Sequence, residues 1–583
     1  MVRKLFRVIY FLSIILFPLL VMGLASQPLA SIPLRLFIFC ILVLSGALLF
    51  SHLWPQQGLG TALIITSLGY GTAYKIASFI PDISAYPFSL GWSEASRYYY
   101  ASLWLPKQLY GVFVPPSVLH PSRYLLQALP LLFPHSSLWL SRFWQVALWV
   151  VTASFTGWLL TRRLTLSGQK RSLVITLSFI AWAFLFLFQG PVYYHLLVMV
   201  ILLLWGFDSR HFWRSLLLVM VASLWAGISR VNWLPVPGLL AAALYLMEVN
   251  LAGKPLWRYL VPPASWVVAG TAAGYASQLA YQLWSGNPAA WFGSSFSSDL
   301  LWYRLLPSAT YPLGILPSAI LVTLPLAGLM LWRFTQLRRF IHLIRWLGLA
   351  AILLVLFAGG VVVSVKIGGG SNLHNLDAYL ALLLIIGSYV FFNHLLPDQV
   401  TQPAGHPAPP PANTSQKLGE GVLIAAALAI PLYFTLSMGG ALPHHDYPVA
   451  ESALQTLNAS TQQVARQGGE VLFISQRHLL TFNYVQDVPL VPDYELVFLM
   501  EMAMSDNASY LDAFHADISQ QRFAMIVSEP LVIQYQGRSR GFGEENDAWV
   551  ERVSEPVLCY YQASQTLDGV GLVLYTPRPA PCR

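Results

Sequence analysis

The chain has 583 residues, of which 56% are hydrophobic and 10% are charged. Soluble domains carry about a quarter of their residues as charged side chains, so this composition excludes a soluble globular enzyme. The formal net charge is +8 at pH 7, but the basic residues cluster in short loops between apolar segments, where they set membrane orientation. We therefore expect a protein embedded in a lipid bilayer that does not bind nucleic acid.

Apolar stretches of membrane-spanning length recur from the N-terminus to about residue 440. A bilayer core needs about 20 apolar residues per helix, and helices satisfy the backbone hydrogen bonds that lipid cannot. The pattern predicts a polytopic α-helical membrane protein with about 13 transmembrane helices. The predicted spans are 5–24, 34–53, 60–80, 143–161, 172–189, 192–206, 213–229, 235–248, 259–283, 312–332, 346–366, 376–396 and 419–437.

Basic residues predict the orientation of these spans. Three basic clusters fall on one side of the membrane, the cytoplasmic side, when the N-terminus is cytoplasmic. The same count places segments 81–141, 284–311 and 368–375 outside, together with the polar C-terminal region. We expect a multi-pass protein of the plasma membrane whose first apolar run is retained as a helix rather than removed as a signal peptide. The clusters are Arg3, Lys4 and Arg7; Arg162, Arg163, Lys170 and Arg171; and Arg333, Arg338, Arg339 and Arg345.

Composition divides the chain into a membrane body and a tail. Residues 1–397 form the predicted transmembrane body, which includes the external loop 81–141. Residues 398–418 are rich in proline and poor in apolar side chains, which predicts an extended cytoplasmic linker. Residues 419–437 are the last predicted span, and residues 438–583 form the predicted extracytoplasmic domain.

Alternating helical and strand-like patterns predict a small α/β fold for this domain. Cys559 and Cys582 both lie in it, so a disulfide in an oxidising compartment and two unpaired thiols are both open. The predicted helices are 450–466 and 510–521, and the predicted strands are 470–475, 523–527 and 569–575.

The loop 81–141 contains two carboxylates, Asp82 and Glu94. Ser93 is a predicted N-cap, so Glu94 lies in the first turn of an aromatic-rich helix that we expect in the membrane interface. The helix dipole favours an ionised Glu94, and an ionised carboxylate at the membrane surface can take a proton from an acceptor hydroxyl. The alternative is that Glu94 only caps the helix or pairs with Arg97.

Three motifs follow one another between about residues 81 and 165. They are Trp92-Ser-Glu-Ala-Ser-Arg-Tyr-Tyr-Tyr-Ala-Ser, His120-Pro-Ser-Arg-Tyr-Leu-Leu-Gln-Ala-Leu and Leu138-Trp-Leu-Ser-Arg-Phe. In this order they resemble membrane glycosyltransferases of the C superfamily, such as protein O-mannosyltransferases and the lipid A aminoarabinose transferase. Those enzymes show an acidic motif in the first external loop, a His-Pro-Pro-Leu-Tyr segment and an arginine that opens the next span. This chain departs from them because Ser93 replaces the first acid, Arg123 replaces an apolar residue, and two extra spans precede the loop.

The resemblance implies a glycosyltransferase C-like body that takes a sugar from a polyprenyl phosphate or diphosphate. Glu94, aided by Asp82, is then the expected catalytic base. The replaced acid leaves a divalent cation open as a cofactor, and no residue is predicted to ligate a metal. The expected partners are the lipid-linked sugar donor, a lipid, glycan or protein acceptor, and the bilayer itself.

A phosphate head group needs cations near the membrane edge. Four basic residues at predicted outer helix ends are therefore candidate substrate-binding residues, and snorkelling or a structural ion pair is the alternative at each. Three glycines follow the last of them, and their backbone amides, with Asn372 and His374, suit phosphate binding. His374 has no second histidine at ligand spacing, and His195 is interpreted as a packing or hydrogen-bonding residue. The four are Arg97, Arg230, Arg304 and Lys366.

The first hypothesis is an inverting glycosyltransferase that acts on the extracytoplasmic side. A loop carboxylate deprotonates the acceptor hydroxyl, and the cations stabilise the leaving phosphate. The second hypothesis is a transporter or flippase of a lipid-linked or anionic substrate, for which inverted repeats and mid-membrane charges are typical. The third is a noncatalytic envelope scaffold whose exported domain binds a partner.

Overall fold

The computed structural model describes residues 2–165, 173–251, 253–370, 372–398, 414–580 and 582. The described residues up to Ser437 are mainly helical, as the apolar runs predict. Its helices are α1 (Val2–Leu19), α2 (Ser26–Leu29), α3 (Ile32–Leu53), α4 (Leu59–Ala77), α5 (Glu94–Ser102), α6 (Pro106–Tyr110), α7 (Pro121–Gln127), α8 (Leu138–Thr165), α9 (Leu173–Leu187), α10 (Tyr194–Gly206), α11 (Phe212–Gly227), α12 (Val236–Glu248), α13 (Leu256–Ser285), α14 (Ser294–Ser297), α15 (Ile315–Leu337), α16 (Leu343–Val365), α17 (Asp377–Phe391) and α18 (Thr414–Ser437).

The body is a polytopic membrane bundle, but the expectation of thirteen spans is wrong. Within the described residues, nine helical stretches are both long and apolar enough to cross a bilayer. The helices α9, α10 and α11 are apolar but have 15, 13 and 16 residues, short of the roughly 20 that a bilayer core needs. The 30-residue α13 is long enough but too polar. The nine stretches are Arg3–Leu24, Ile32–Leu53, Leu59–Asp82, Leu138–Leu164, Val231–Glu248, Ile315–Leu337, Leu343–Val365, Leu373–Phe391 and Gly419–Ser437.

Three helices, α10, α12 and α17, form the buried centre of the bundle. Most of their side chains are buried, and the other helices pack around them in one apolar core. All three begin at the end of the bundle that contacts the C-terminal domain, which we name the domain end. They finish at the other end, named the opposite end, where Arg163 of α8 pairs with Glu248.

The C-terminal domain has the predicted α/β fold. Its four-stranded sheet has the order β1-β2-β4-β3; β1 and β2 are parallel and the other neighbours are antiparallel. Apolar clusters cover both faces of the sheet. The elements are α19 (Tyr447–Arg466), β1 (Val471–Phe473), α20 (His478–Thr481), α21 (Leu496–Met504), α22 (Ala508–Ser519), β2 (Met525–Ser528), α23 (Gly543–Trp549), α24 (Glu555–Tyr560), β3 (Tyr561–Leu567) and β4 (Leu572–Pro577).

Two details of this domain settle points that the sequence left open. Cys559 and Cys582 form a disulfide, with their Cα atoms 5.0 Å apart. Strand β3 was not expected, because five consecutive residues between its buried ends are exposed and polar or small. Such a strand shows no apolar alternation, so the hydrogen bonds to β4 define it.

The loop 81–141 is enclosed between the bundle and the C-terminal domain. Tyr86 and Phe88 pack in one apolar cluster with strand β1, and Nε2 of His478 lies 2.8 Å from the carbonyl oxygen of Pro87. Eight of the nine residues of α5 are buried. The tyrosines of α5 therefore contact protein.

Candidate functional site

A cavity of about 580 Å³ lies at the domain end of the bundle. Its wall comes from the segment before α7, the start of α10, the turn between α11 and α12, and the segment between α16 and α17. Glu501 of the C-terminal domain completes the wall. Loops and helix ends therefore converge on one space, which is where binding sites between bundle helices occur.

Three cationic side chains line this cavity: Arg123, Arg230 and Lys366. Arg230 donates to Oδ2 of Asp377 at 2.8 Å and to Oδ1 of Asn375 at 2.6 Å. Nζ of Lys366 lies 2.6 Å from Oε1 of Glu501. Arg230 and Lys366 are thus oriented by carboxylates on one side while they face the cavity.

Arg123 is held by aromatic contacts. Its guanidinium lies 4.8 Å from the centre of the Tyr193 ring, and its Nε has no hydrogen-bond partner in the described part of the chain. Nearby tyrosines raise the pKa of Arg123 despite its burial, so this cation stays charged. A buried donor without a partner favours a ligand that accepts a hydrogen bond at this position.

Three imidazoles, those of His120, His195 and His374, also line the cavity. Burial and the charge of Arg230 lower the pKa of His120 to about 3, so it is neutral at pH 7 and Nδ1 can donate to the Ser229 carbonyl oxygen 3.0 Å away. His195 is 1% exposed, and neither ring nitrogen has a partner among the described residues. His195 packs against Tyr193 and Tyr194, and its two ring nitrogens can also bond a ligand, in line with the expected packing or hydrogen-bonding role.

The predicted glycine loop is arranged differently from the expectation. The amide of Gly368 donates to Oε1 of Glu545 at 2.9 Å, and the amide of Gly369 donates to the Lys366 carbonyl at 2.7 Å. Gly368 and Gly370 have φ values of 76° and 85°, where glycine is favoured. Two of the three amides are thus already bonded, and the glycines serve a tight turn beside the cavity.

Asn372 and His374 form one unit. Oδ1 of Asn372 accepts from the His374 amide at 2.8 Å and lies 2.8 Å from Nδ1 of its ring. His374 lines the cavity, and Asn372 orients it from outside the lining.

Glu94 does not line the cavity and does not pair with Arg97. It is 4% exposed and binds Arg142 through two contacts, Nε–Oε1 at 2.9 Å and Nη2–Oε2 at 3.1 Å. Burial opposes its ionisation, but the hydrogen bonds and charge of Arg142 outweigh burial and hold the pKa of Glu94 below its usual value. Ser93 occupies the predicted N-cap position, although its side chain makes no capping hydrogen bond.

Asp82 has the freer carboxylate of the loop. It is exposed at the end of the span Leu59–Asp82, and no described residue donates a hydrogen bond to its side chain. Glu94 and Arg97 act on it electrostatically, so it lies near the Glu94–Arg142 pair. Arg97 also acts on Tyr194, the neighbour of the cavity residue Tyr193.

Arg304 is committed to the C-terminal domain. It is 1% exposed, binds Glu545 through two 2.7 Å contacts and lies 3.0 Å from Oε2 of Glu544. The structure therefore brings Arg230, Lys366 and His374 together in the cavity and places Arg304, Arg97 and the two loop carboxylates elsewhere.

Several residues of the site escaped the sequence reasoning. Asp377 carried a signal that could have been used, because a lone carboxylate at the start of an apolar span is a functional or paired residue by default. Glu501 carried none, since it lies within the apolar helix α21 of a separate domain. No protein-family model matches the chain, and no curated protein matches it.

Proposed function

We propose that the chain is a membrane glycosyltransferase that moves a sugar from a polyprenyl phosphate or diphosphate to an acceptor hydroxyl, with inversion at the anomeric carbon. The observation that carries the proposal is the domain-end cavity, where Arg123, Arg230 and Lys366 meet at helix ends of a membrane bundle. Cations in a site shielded from water bind phosphate oxygens strongly. The lipid chain of such a donor extends between the surrounding helices.

The cations have a chemical role in this reaction. As the bond between the anomeric carbon and the phosphate oxygen breaks, the phosphate leaves with the electron pair and gains negative charge. Arg230 and Lys366 are held in place by Asp377 and Glu501, so they need not reorganise as that charge develops. His120 and His195 supply neutral hydrogen-bonding groups to the same space.

We assign the general base to Asp82 and a positioning role to Glu94. Asp82 lies outside the cavity lining, so the acceptor hydroxyl has to bind between Asp82 and the donor head group. A base needs a carboxylate that can reach the acceptor proton, and the Glu94 oxygens already accept hydrogen bonds from Arg142 and the Leu90 amide. Asp82 takes the proton from the acceptor hydroxyl, whose oxygen then forms the new bond to the anomeric carbon. Arg142 also binds the carbonyl oxygens of residues 84, 86 and 88, so the Glu94–Arg142 pair shapes the loop that carries Asp82.

We place the domain end on the extracytoplasmic side. Arg163 and Arg345 both contact the last residues of α12, at the opposite end of the bundle, and basic residues favour the cytoplasmic side. The Cys559–Cys582 disulfide suits an oxidising compartment.

The enzyme is favoured over the transporter by the centre of the bundle. A transporter typically holds its substrate in a polar site near the middle of the membrane. Between their ends, α10 and α12 carry buried apolar side chains that contact one another, such as Leu197, Met199, Leu240 and Leu244. This packed core separates the domain-end cavity from the opposite end.

Sugar transfer from radiolabelled polyprenyl-phosphate sugars by the full chain in lipid tests the proposal. We expect Asp82→Asn to lower the transfer rate about 100-fold or more, the usual contribution of a general base, while donor binding persists. Lys366→Gln should weaken donor binding. Asp512→Asn, which changes an exposed carboxylate of the C-terminal domain, is the control and should match the wild type.

Two results would count against the proposal. Wild-type turnover by Asp82→Asn would remove the base assignment. Tight donor binding without turnover of any donor would favour transport instead.

A further inference from the structure

A second polar cavity, of about 510 Å³, lies at the opposite end of the bundle. It is lined by the last residues of α8, α10, α12 and α17 and by the segment 206–210 before α11. Arg142 and Arg163 both lie on α8, so at 1.5 Å per residue they are about 30 Å apart, the thickness of a bilayer core. The second cavity therefore opens at the other membrane surface, and we name it the basic pocket.

The floor of the basic pocket is electrically balanced. Nη1 of Arg163 lies 2.7 Å from Oε1 of Glu248, which also accepts from the hydroxyl of Tyr389 at 2.7 Å. The rest of the Arg163 guanidinium donates to the backbone carbonyls of Leu204 and Phe207 at the end of α10. This arginine holds helix ends together, and most of its donors are already used within the protein.

The rim of the basic pocket is positively charged. Arg162, Arg210 and Arg214 line it, and no described residue forms a hydrogen bond or an ion pair with the guanidinium of Arg210 or Arg214, although Arg214 acts electrostatically on Asp208. The acidic residue of the rim, Asp208, accepts instead from His211 and from the backbone amide of Arg210. Segments 166–172 and 399–413, which lie outside the described residues, contain no Asp or Glu, so they supply no missing carboxylate side chain.

Exposed tryptophans flank the same rim. Trp205 lines the pocket and is 67% exposed, and Trp213, beside Arg214, is 77% exposed. Tryptophan at this depth is typical of the interface between lipid head groups and acyl chains. Basic pockets between helices at such an interface bind anionic head groups.

We propose that the basic pocket binds the phosphate of an anionic phospholipid, with Arg210 and Arg214 as the head-group ligands and Trp205 beside the glycerol region. The inference concerns a separate site at the opposite end and does not depend on the glycosyltransferase proposal. Free phosphate shares the ligand chemistry, but only a lipid places its phosphate at the bilayer edge with its chains along Trp205 and Trp213.

Binding to the full chain in detergent micelles tests this site. The probes are a fluorescent phosphatidylglycerol, a phosphatidylcholine with the same chains, and inorganic phosphate as competitor. We expect phosphatidylglycerol to bind and Arg210→Gln/Arg214→Gln to weaken it about 30-fold, the factor for two arginines near an anionic lipid. Both side chains are exposed, so the double variant should keep the wild-type unfolding temperature.

The matched control is Lys254→Gln/Arg258→Gln, which removes two exposed cations near the start of α13 at the same end of the bundle. It should leave phosphatidylglycerol binding within about twofold of the wild type, because surface charges outside a pocket contribute little. Equal weakening by both double variants would overturn the pocket in favour of general surface charge. Equal binding of the two lipids, or displacement by inorganic phosphate at the lipid's own concentration, would also overturn the proposal.

Discussion

Arg142 is 1% exposed and donates five hydrogen bonds to the loop between residues 84 and 94, two of them to Glu94. Replacing Glu94 by Gln leaves the guanidinium buried without its counter-ion. Breaking a buried pair from one side costs about 3–5 kcal/mol. We therefore expect Glu94→Gln to lower the unfolding temperature of the full chain in nanodiscs, measured by intrinsic fluorescence.

Two variants separate this structural role from catalysis. Glu451→Gln removes an exposed carboxylate and should not change the unfolding temperature. Glu94→Leu with Arg142→Met removes both charges and should recover part of the loss. The recovery is incomplete because methionine cannot replace the three hydrogen bonds from Arg142 to backbone carbonyls. A Glu94→Gln protein with wild-type stability and no transfer would instead restore Glu94 as the base.

His478 makes the stability of the fold depend on pH. Burial, in the main, lowers its pKa to about 4, against an unfolded value of about 6.5. The unfolded chain therefore takes up a proton first, so the stability from neutral His478 is complete above pH 6.5 and is lost as pH falls toward 4. Each pH unit in that window removes about 1.4 kcal/mol per such histidine.

Unfolding of the wild type and of His478→Gln, followed between pH 7.5 and 4.5, measures this contribution. The glutamine keeps a donor for the Pro87 carbonyl but does not titrate, so its stability should fall less steeply below pH 6.5. A residual slope is expected from His120, whose pKa is lowered in the same direction. Parallel slopes for the two proteins would contradict the prediction.

At the scale of elements, helix α21 reaches from the C-terminal domain to the cavity through Glu501. Its Oε1 binds Nζ of Lys366 at 2.6 Å and accepts from the hydroxyl of Ser294 at 2.9 Å. A donor phosphate must compete with this carboxylate for Lys366. We expect Glu501→Gln to raise donor affinity several-fold in an equilibrium binding assay. This factor corresponds to the free energy of one ion pair near the protein surface.

The control for this change is Glu551→Gln, an exposed carboxylate of the same domain, which should leave donor affinity unchanged. Lys366→Gln should lower affinity in the same assay. If Glu501→Gln also lowers affinity, Glu501 orients Lys366 rather than competing with the donor.

The elements show which features were predictable. Each apolar run became a helix, since period and length are local properties. The two helices and three strands that were predicted in the C-terminal domain lie within a few residues of their expected positions. Span counting failed at α9–α11, because an apolar run does not reveal that its helix ends short of the length a bilayer core needs. The burial of helix α5 was not predictable either, because its three tyrosines pack against a domain that begins more than 300 residues later.

At the scale of the whole molecule, the sequence did not reveal which distant segments contact one another. Arg230, Lys366 and His374 were expected at one membrane edge, and they do share the cavity. Arg304 was expected with them. A basic residue at a helix end has the same local sequence pattern whether it binds a phosphate or forms an ion pair within the protein. The partners of Arg304, Glu544 and Glu545, lie 240 and 241 residues away, and no periodicity connects them.

Arg304 therefore offers the test of how the body and the C-terminal domain are held together. Its guanidinium binds both carboxylates, and Glu545 in turn accepts from the amide of Gly368 beside the cavity. Arg304→Met leaves two buried or half-buried carboxylates without their cation, a loss of about 3–5 kcal/mol. We expect faster hydrogen exchange in residues 366–370 and 543–549, measured by mass spectrometry of the full chain.

The same variant distinguishes a docking residue from a phosphate ligand. If Arg304 only docks the domain, Arg304→Met with Glu544→Gln and Glu545→Gln should recover part of the exchange protection, because no uncompensated charge is left at the contact. Donor affinity should then follow the protection, falling in the single variant and rising again in the triple one. A phosphate ligand behaves differently: donor affinity falls equally in both variants while residues 366–370 stay protected, since the lost contact is with the donor rather than with the domain.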